Sequence, residues 1–329
     1  MPYALGGVSM NELLRVKNLK KYFSTPAGML HAVDDISFTI DAGETLGVVG
    51  ESGCGKSTAG RSILRMVEPT SGEIIFNGED IMGKSKAEMK KIRQNMQMIF
   101  QDPYESLDPR FNLTQLIEEP LKLNHIFNTA EERRERVKEL METVGISERL
   151  ATSYPHELDG GRRQRVGIAR AMAMEPKLIV CDEPVSALDV SIQSQILNMM
   201  QDLQEQKGLA YMFITHDLSV VRHISNKICI MYLGQIVEMS ETEELFTNTL
   251  HPYTQALLSA IPVPSRKKRR ERIILQGEIT SPINPPEGCR FAKRCIYAKP
   301  ECFEKNPVLC DVGNGHLCAC HKVANGTAQ

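Results

Sequence analysis

The chain has 329 residues, 42% of them hydrophobic and 24% charged, an ordinary globular balance that argues against wholesale disorder. Thirty-nine Lys and Arg stand against 41 Asp and Glu, a formal net charge of −2, so there is no general pull towards nucleic acid or an anionic membrane surface. No apolar run approaches the roughly 18 residues of a spanning helix, and the N-terminal stretch 1–16 does not read as a secretory signal.

In chain order, RVKNLKKYF (15–23), HAVDDISFTI (31–40) and GEIIFNGEDI (72–81) look like antiparallel sheet. ETLGVVG (44–50) is a short apolar strand ending in glycine, and KSTAGRSILRMV (56–67) has apolar spacing suited to a helix. The segment 110–160 is mostly helical, with AEERRERVKELMETVG (130–145) as its clearest helix. LIVCDEP (178–184) and YMFITHD (211–217) repeat the strand-to-loop form on either side of a helical SIQSQILNMMQDLQEQ (191–206). Strands separated by helices imply a parallel sheet with crossovers. The expected fold is therefore α/β: a parallel core sheet, an antiparallel β subdomain and a helical subdomain over 103–172, within a domain spanning 1–264.

SRKKRRER (265–272) holds six basic residues and one acid, and it marks a basic linker over 265–276. It reads either as solvated linker or as a contact for anionic lipid headgroups. The remainder, 277–329, is a small Cys-rich extension with few apolar runs, which would need a staple to hold a shape. Six of the nine cysteines lie between Cys289 and Cys320. With no short secreted scaffold around them, they suggest metal ligation in a reducing compartment rather than disulfides.

Two motifs carry chemistry. Gly50-Glu51-Ser52-Gly53-Cys54-Gly55-Lys56-Ser57 fits G-x-x-x-x-G-K-[ST], after a predicted strand and opening a predicted helix. Glycines let backbone N–H groups curl towards phosphate oxygens, and the helix N-terminus adds partial positive charge. Lys56 is expected to reach the β- and γ-phosphates and Ser57 to hold Mg²⁺, with Thr58 beside it. The second motif is a strand, Leu178–Cys181, that ends in Asp182 and Glu183. Asp182 is placed to support the metal, and Glu183 to polarise the attacking water.

With these motifs in this order, the chain resembles the ATPase subunits of ABC transporters over nearly all its length. The resemblance implies roles for further residues. Gln101 corresponds to the Q-loop glutamine that touches Mg²⁺ and the lytic water, and the loop after it, Asp102–Phe111, to the docking segment. Leu158-Asp159-Gly160-Gly161-Arg162 occupies the signature position, and Asp189 closes a D-loop. His216 corresponds to the switch histidine. Phe23 aligns with the aromatic that stacks on adenine, with Tyr22 as the alternative.

FQDPYESLDPR, SYPHELDGGRRQRVGIARA and PINPPEGCRFAKRC look like the oligopeptide and dipeptide importer branch. That branch implies a second ABC ATPase chain, two membrane permeases and an extracellular or periplasmic binding protein, with this chain peripheral on the cytoplasmic face and no nucleic-acid partner. Cargo stays open among dipeptides, longer peptides and a metal chelate such as nickel; a soluble ABC ATPase is the other class. The branch usually has Leu-Ser-Gly-Gly-Gln, whereas here Asp159 and Arg162 replace the serine and glutamine. One reading is a carboxylate facing the partner's γ-phosphate, which makes an asymmetric pair of sites; another is a helix cap. Finally, Cys289, Cys295, Cys302 and Cys320 have the spacing C-x₅-C-x₆-C-x₁₇-C, similar to a pattern that holds a [4Fe–4S] cluster in some peptide-importer ATPases. Zinc, with Cys310, Cys318, His316 or His321 among its ligands, or no metal at all, are the alternatives.

Overall fold

The structure is a computed structural model that describes residues 11–102, 106–261, 272–275, 277 and 281–324. Most of the basic run 265–272, and 103–105 of the expected docking segment, lie outside the described residues. The strands in chain order are β1 (Glu12–Thr25), β2 (Gly28–Asp41), β3 (Thr45–Val49), β4 (Ser71–Phe76), β5 (Glu79–Asp80), β6 (Met96–Ile99), β7 (Leu178–Asp182), β8 (Ala210–Thr215), β9 (Lys227–Tyr232), β10 (Gln235–Glu241), β11 (Cys310–Asp311) and β12 (Leu317–Cys318). Contacts divide the chain into two units: Met1–Asp41 with Thr45–Gly83 and Thr215–Gln329, and Ala42–Glu44 with Lys84–Ile214.

In the first unit, β1 pairs antiparallel with β2 and β4, and β4 with β5. Alternating apolar residues, Leu14 and Val16 on β1 and Phe38 and Ile40 on β2, turn one face of this sheet inward and bury it. β3 differs: all five of its residues are buried, so it reads as one continuous apolar run. It pairs parallel with β9, β9 antiparallel with β10, and β10 with β12. The helix Lys56–Ile63 follows β3 through the phosphate loop.

In the second unit, β6, β7 and β8 are parallel neighbours, as the strand–helix alternation predicts. The helices Leu113–Leu123 and Ala130–Thr143 both start at capping boxes, Asn112 with Gln115 and Thr129 with Glu132. Helix Gly160–Met172 buries Val166, Ile168 and Ala169, and the helix Val190–Lys207 ends at a left-handed Gly208.

The Cys-rich tail takes its core from the first unit. Phe291 is buried among Tyr232 and Tyr253, with ring centroids 5.3 and 5.4 Å away. Burying a phenylalanine contributes about 2 kcal/mol. β12 extends the sheet beyond β10, with Glu238 opposite Cys318. The buried carboxylate of Glu238 accepts hydrogen bonds from the backbone of Leu250 and His251 at 2.7 and 3.1 Å, and His316 Nε2 lies 2.9 Å from it. This borrowed core explains how a segment with few apolar residues is ordered among the described residues.

Candidate functional site

The first unit carries the phosphate loop. Gly55 caps the helix Lys56–Ile63 in a left-handed conformation, φ 104°, and a Cβ there would lie 2.0 Å from the carbonyl oxygen of Ala32. At Gly50 a Cβ would meet the carbonyl oxygen of Met231 at 2.2 Å. Only glycine fits either place, so the loop's glycines answer a steric demand. Gly234 N donates to Cys54 O at 2.7 Å and ties the loop to the β9–β10 turn. Ser52 and Gly53 are exposed, Ser57 and Thr58 half-buried. Lys56 is buried, and its Nζ donates to the carbonyls of Gly50 and Glu51 at 2.7 and 3.0 Å. An ammonium on loop carbonyls at a helix start, where the first backbone N–H groups lack partners within the helix, is suited to bind a polyphosphate. Burial pushes the Cys54 thiol up, against the pull of Lys56, so Cys54 serves as packing rather than as a nucleophile.

On the same unit, Tyr22 and His31 are cross-strand partners whose rings stack with centroids 4.0 Å apart. Tyr22 Oη donates to Asp34. Burial and the Asp34 carboxylate hold the Tyr22 phenol above its usual range. Phe23 instead lies beneath Lys21 Nζ, 4.6 Å from its ring centroid. The structure thus sets the alternative aromatic, Tyr22, in a stacked pair, and Phe23 in a cation–π contact. His216 is exposed just after β8.

In the second unit, Asp182 is the buried end of β7 and Glu183 follows it half-buried. Glu183 takes a left-handed backbone conformation, φ 46°, which is uncommon for a residue with a side chain. Gln101 Nε2 donates to Glu183 Oε2 at 3.1 Å, so two residues read as catalytic from separate motifs meet here. Asp159 caps the helix Gly160–Met172: its Oδ1 accepts from Arg162 N at 2.8 Å, and its Oδ2 lies 3.2 Å from Arg162 Nη1. Gly160 and Gly161 form the first turn of that helix, and Asp189 precedes the helix Val190–Lys207. Within this unit, Gln101 and Asp182 carry hard oxygen atoms of the kind magnesium takes, as the hydroxyl of Ser57 does in the first unit. Cys181 is fully buried, and burial followed by the charge of Asp182 raises its thiol, so it has no part in the chemistry.

The four spaced cysteines of the tail, Cys289, Cys295, Cys302 and Cys320, line one narrow cavity together with Tyr297 and His321. Burial pushes Cys289 up to about 11, and the neighbouring thiols act in the same direction. Among the described residues, however, no group of three or more His, Cys, Asp or Glu side chains is placed to hold a metal ion. Cys310 and Cys318 face each other across β11 and β12, and His316 is engaged by Glu238 and Glu244.

Comparison with known proteins decides the family. The ABC transporter family matches residues 33–186, and the oligopeptide/dipeptide transporter C-terminal region matches 237–302. The oligopeptide transport ATP-binding protein AppF of Bacillus subtilis is 51% identical, over 94% of this chain and 97% of that one. The chain belongs to the ABC transporter ATPases. Within that family, the oligopeptide transport ATP-binding protein OppF of Escherichia coli is 49% identical, over 94% of this chain and 92% of its own. Among solved ABC structures, the ATP-binding cassette MJ0796, a dimer in a post-hydrolysis state with ADP and Pi, matches with a TM-score of 0.65 and 30% identity. That match covers 70% of this chain and 99% of the other. CbiO1 from Clostridium perfringens, part of the CbiONQ ABC transporter complex, matches with a TM-score of 0.65 and 28% identity, over 72% and 92% of the two chains.

Sequence reading of this ABC ATPase missed the residues that surround its phosphate loop. Tyr253 Oη accepts from Glu51 N at 3.0 Å, and Arg294 forks onto both Glu51 carboxylate oxygens at 2.8 and 3.1 Å. The only linear signal is an acidic residue inside a loop built for anions, which demands a partner; nothing in the sequence says that the partner lies 243 positions away.

Proposed function

We propose that the chain binds MgATP and hydrolyses it to drive import of oligopeptides. The observation that carries this reading is the buried Lys56 ammonium, held on the carbonyls of its own loop where the helix Lys56–Ile63 begins. In this reading Lys56 and the loop N–H groups take the β- and γ-phosphates. Glu183 accepts the proton of the attacking water while Gln101 orients the carboxylate, and His216 contacts the γ-phosphate. Magnesium, when bound, neutralises charge on the phosphate oxygens, and Ser57, Gln101 and Asp182 are the residues to hold it. Tyr22, already stacked on His31, is the better aromatic for the adenine than Phe23. The oligopeptide assignment is supported by the C-terminal region match and by the similarity to the oligopeptide transport ATP-binding proteins AppF and OppF.

The chain is proposed to pair with a second ATPase beneath two permeases and an external binding protein, on the cytoplasmic face. Among the described residues no helix is long and apolar enough to cross a membrane, consistent with peripheral attachment. The two sites of the pair are proposed to be unequal, because Asp159 would set a carboxylate against the partner's nucleotide. At an effective dielectric of 20, two unit charges about 4 Å apart repel by roughly 4 kcal/mol.

The tail is proposed to hold a [4Fe–4S] cluster through Cys289, Cys295, Cys302 and Cys320. Their shared cavity supports this. A four-iron cluster takes its thiolates on separate irons, so the ligands need not converge on one ion as they must for zinc. Anaerobic purification with iron and sulfide analysis tests it; an iron-free, folded protein rejects the cluster. For the main reading, the test is Mg²⁺-dependent ATP hydrolysis by the purified pair, lost in Glu183→Gln and retained if the reading is wrong.

A further inference from the structure

Residues of the C-terminal region bind the phosphate loop at Glu51. Its backbone N–H is bound by Tyr253, and its carboxylate by both terminal nitrogens of Arg294. Arg294 is 9% exposed and Glu51 24%, so water screens the pair only partly. Arg294 Nη1 also lies 3.4 Å from Tyr232 Oη. The arginine sits in the short turn Ala292–Arg294, directly after the buried Phe291, so packing fixes its position. A second anchor, Arg290, binds Asp34 and the carbonyl of Leu233.

The fork answers an electrostatic problem inside the loop. A carboxylate at Glu51 adjoins the place where several phosphate charges are to be bound, and Lys56 already touches the carbonyl of the same residue. An uncompensated anion there repels the ligand. We propose that Arg294 is a positioning residue of the nucleotide site: it neutralises Glu51 and holds the loop's first turn open to polyphosphate, so that the C-terminal region sets nucleotide affinity. The inference rests on the ATP-binding reading above. It makes the Cys-rich tail part of the nucleotide site's electrostatics.

Calorimetric titration of the full-length chain with MgATP and with AMP separates this from a merely structural role. Arg294→Met is expected to weaken MgATP about five- to tenfold and AMP less than about twofold, because the stray carboxylate acts on phosphate charge. Arg294→Lys keeps most of the affinity. Adding Glu51→Gln to Arg294→Met should restore MgATP binding to within about twofold of the original chain, since the offending charge is gone. Equal losses for MgATP and AMP, no loss in Arg294→Met, or no restoration in the double variant would each overturn the proposal. If Arg294→Met does not fold, Glu51→Gln alone decides: it must bind MgATP at least as tightly as the original chain, and a weaker affinity rejects the role. Failure of the unaltered chain to bind MgATP would instead refute the ATP-binding reading itself.

Discussion

Gln101 donates its Nε2 hydrogen to Oε2 of Glu183 at 3.1 Å, so an amide from one motif orients the carboxylate of another. A carboxylate that acts as the proposed base must present a lone pair to water, and an amide donor on one of its oxygens restricts how it can turn. Gln101→Ala is expected to lower kcat about tenfold, because it removes the donor that orients the Glu183 carboxylate. Glu183→Gln is expected to lower kcat at least about a hundredfold while nucleotide binding persists. Steady-state hydrolysis and equilibrium nucleotide binding on the same preparations check both.

The left-handed backbone of Glu183, φ 46°, stores strain at the residue proposed as the base. Replacing a side-chain residue by glycine there relieves about 1 kcal/mol. Glu183→Gly is therefore expected to be inactive yet more resistant to denaturant than Glu183→Gln. A glycine variant less stable than the glutamine variant would show that the conformation costs nothing.

Asp159→Ser with Arg162→Gln tests the asymmetry. Serine caps a helix about as well as aspartate, so thermal stability should hold within about 1 kcal/mol. The change removes the carboxylate while keeping the cap that Asp159 gives to Arg162 N. Hydrolysis by the pair carrying Glu183→Gln in this chain should then rise, because the partner's site gains a complete lid. Unchanged residual turnover would leave Asp159 as a cap alone.

His251 predicts an acid-side loss of stability. Burial lowers its pKa to about 4, with the charge of Glu238 opposing the shift. Its Nδ1 accepts from Tyr253 N at 3.1 Å, a bond that protonation would break. The unfolded chain takes up this proton near pH ~6.5. The neutral imidazole's contribution is therefore complete above that pH and is lost as pH falls towards 4, by an amount on the order of 3 kcal/mol. His316 runs the other way: burial alone would lower it, but Glu238 and Glu244 raise it, so its contribution is full at low pH and fades as pH rises. His251→Asn keeps a cap acceptor, and it should flatten the decline in denaturant stability between pH 7 and 4.5.

Much of the fold was legible because its signals are local. The apolar β3 and β7, the phosphate-loop glycines and the helix Ala130–Thr143 each declare themselves within a few residues, and they appear where predicted. The antiparallel pairing of β1, β2 and β4 also follows from alternation. Cross-strand geometry was not legible: whether Tyr22 or Phe23 stacks depends on register, which places Tyr22 opposite His31 and Phe23 opposite Leu30. Nor was the seating of the tail, since Phe291 finds Tyr232 and Tyr253 only once the sheet has formed. Glu51 with Arg294 and Asp34 with Arg290 are pairings of the same long-range kind.

The most direct test is peptide uptake by vesicles carrying the complete transporter, with MgATP supplied on the side of this chain and Lys56→Ala as the only change. Uptake and nucleotide hydrolysis should fall together, by at least about tenfold, because the ammonium proposed to grip the phosphates is gone. Uptake at the original rate with Lys56→Ala would contradict the account.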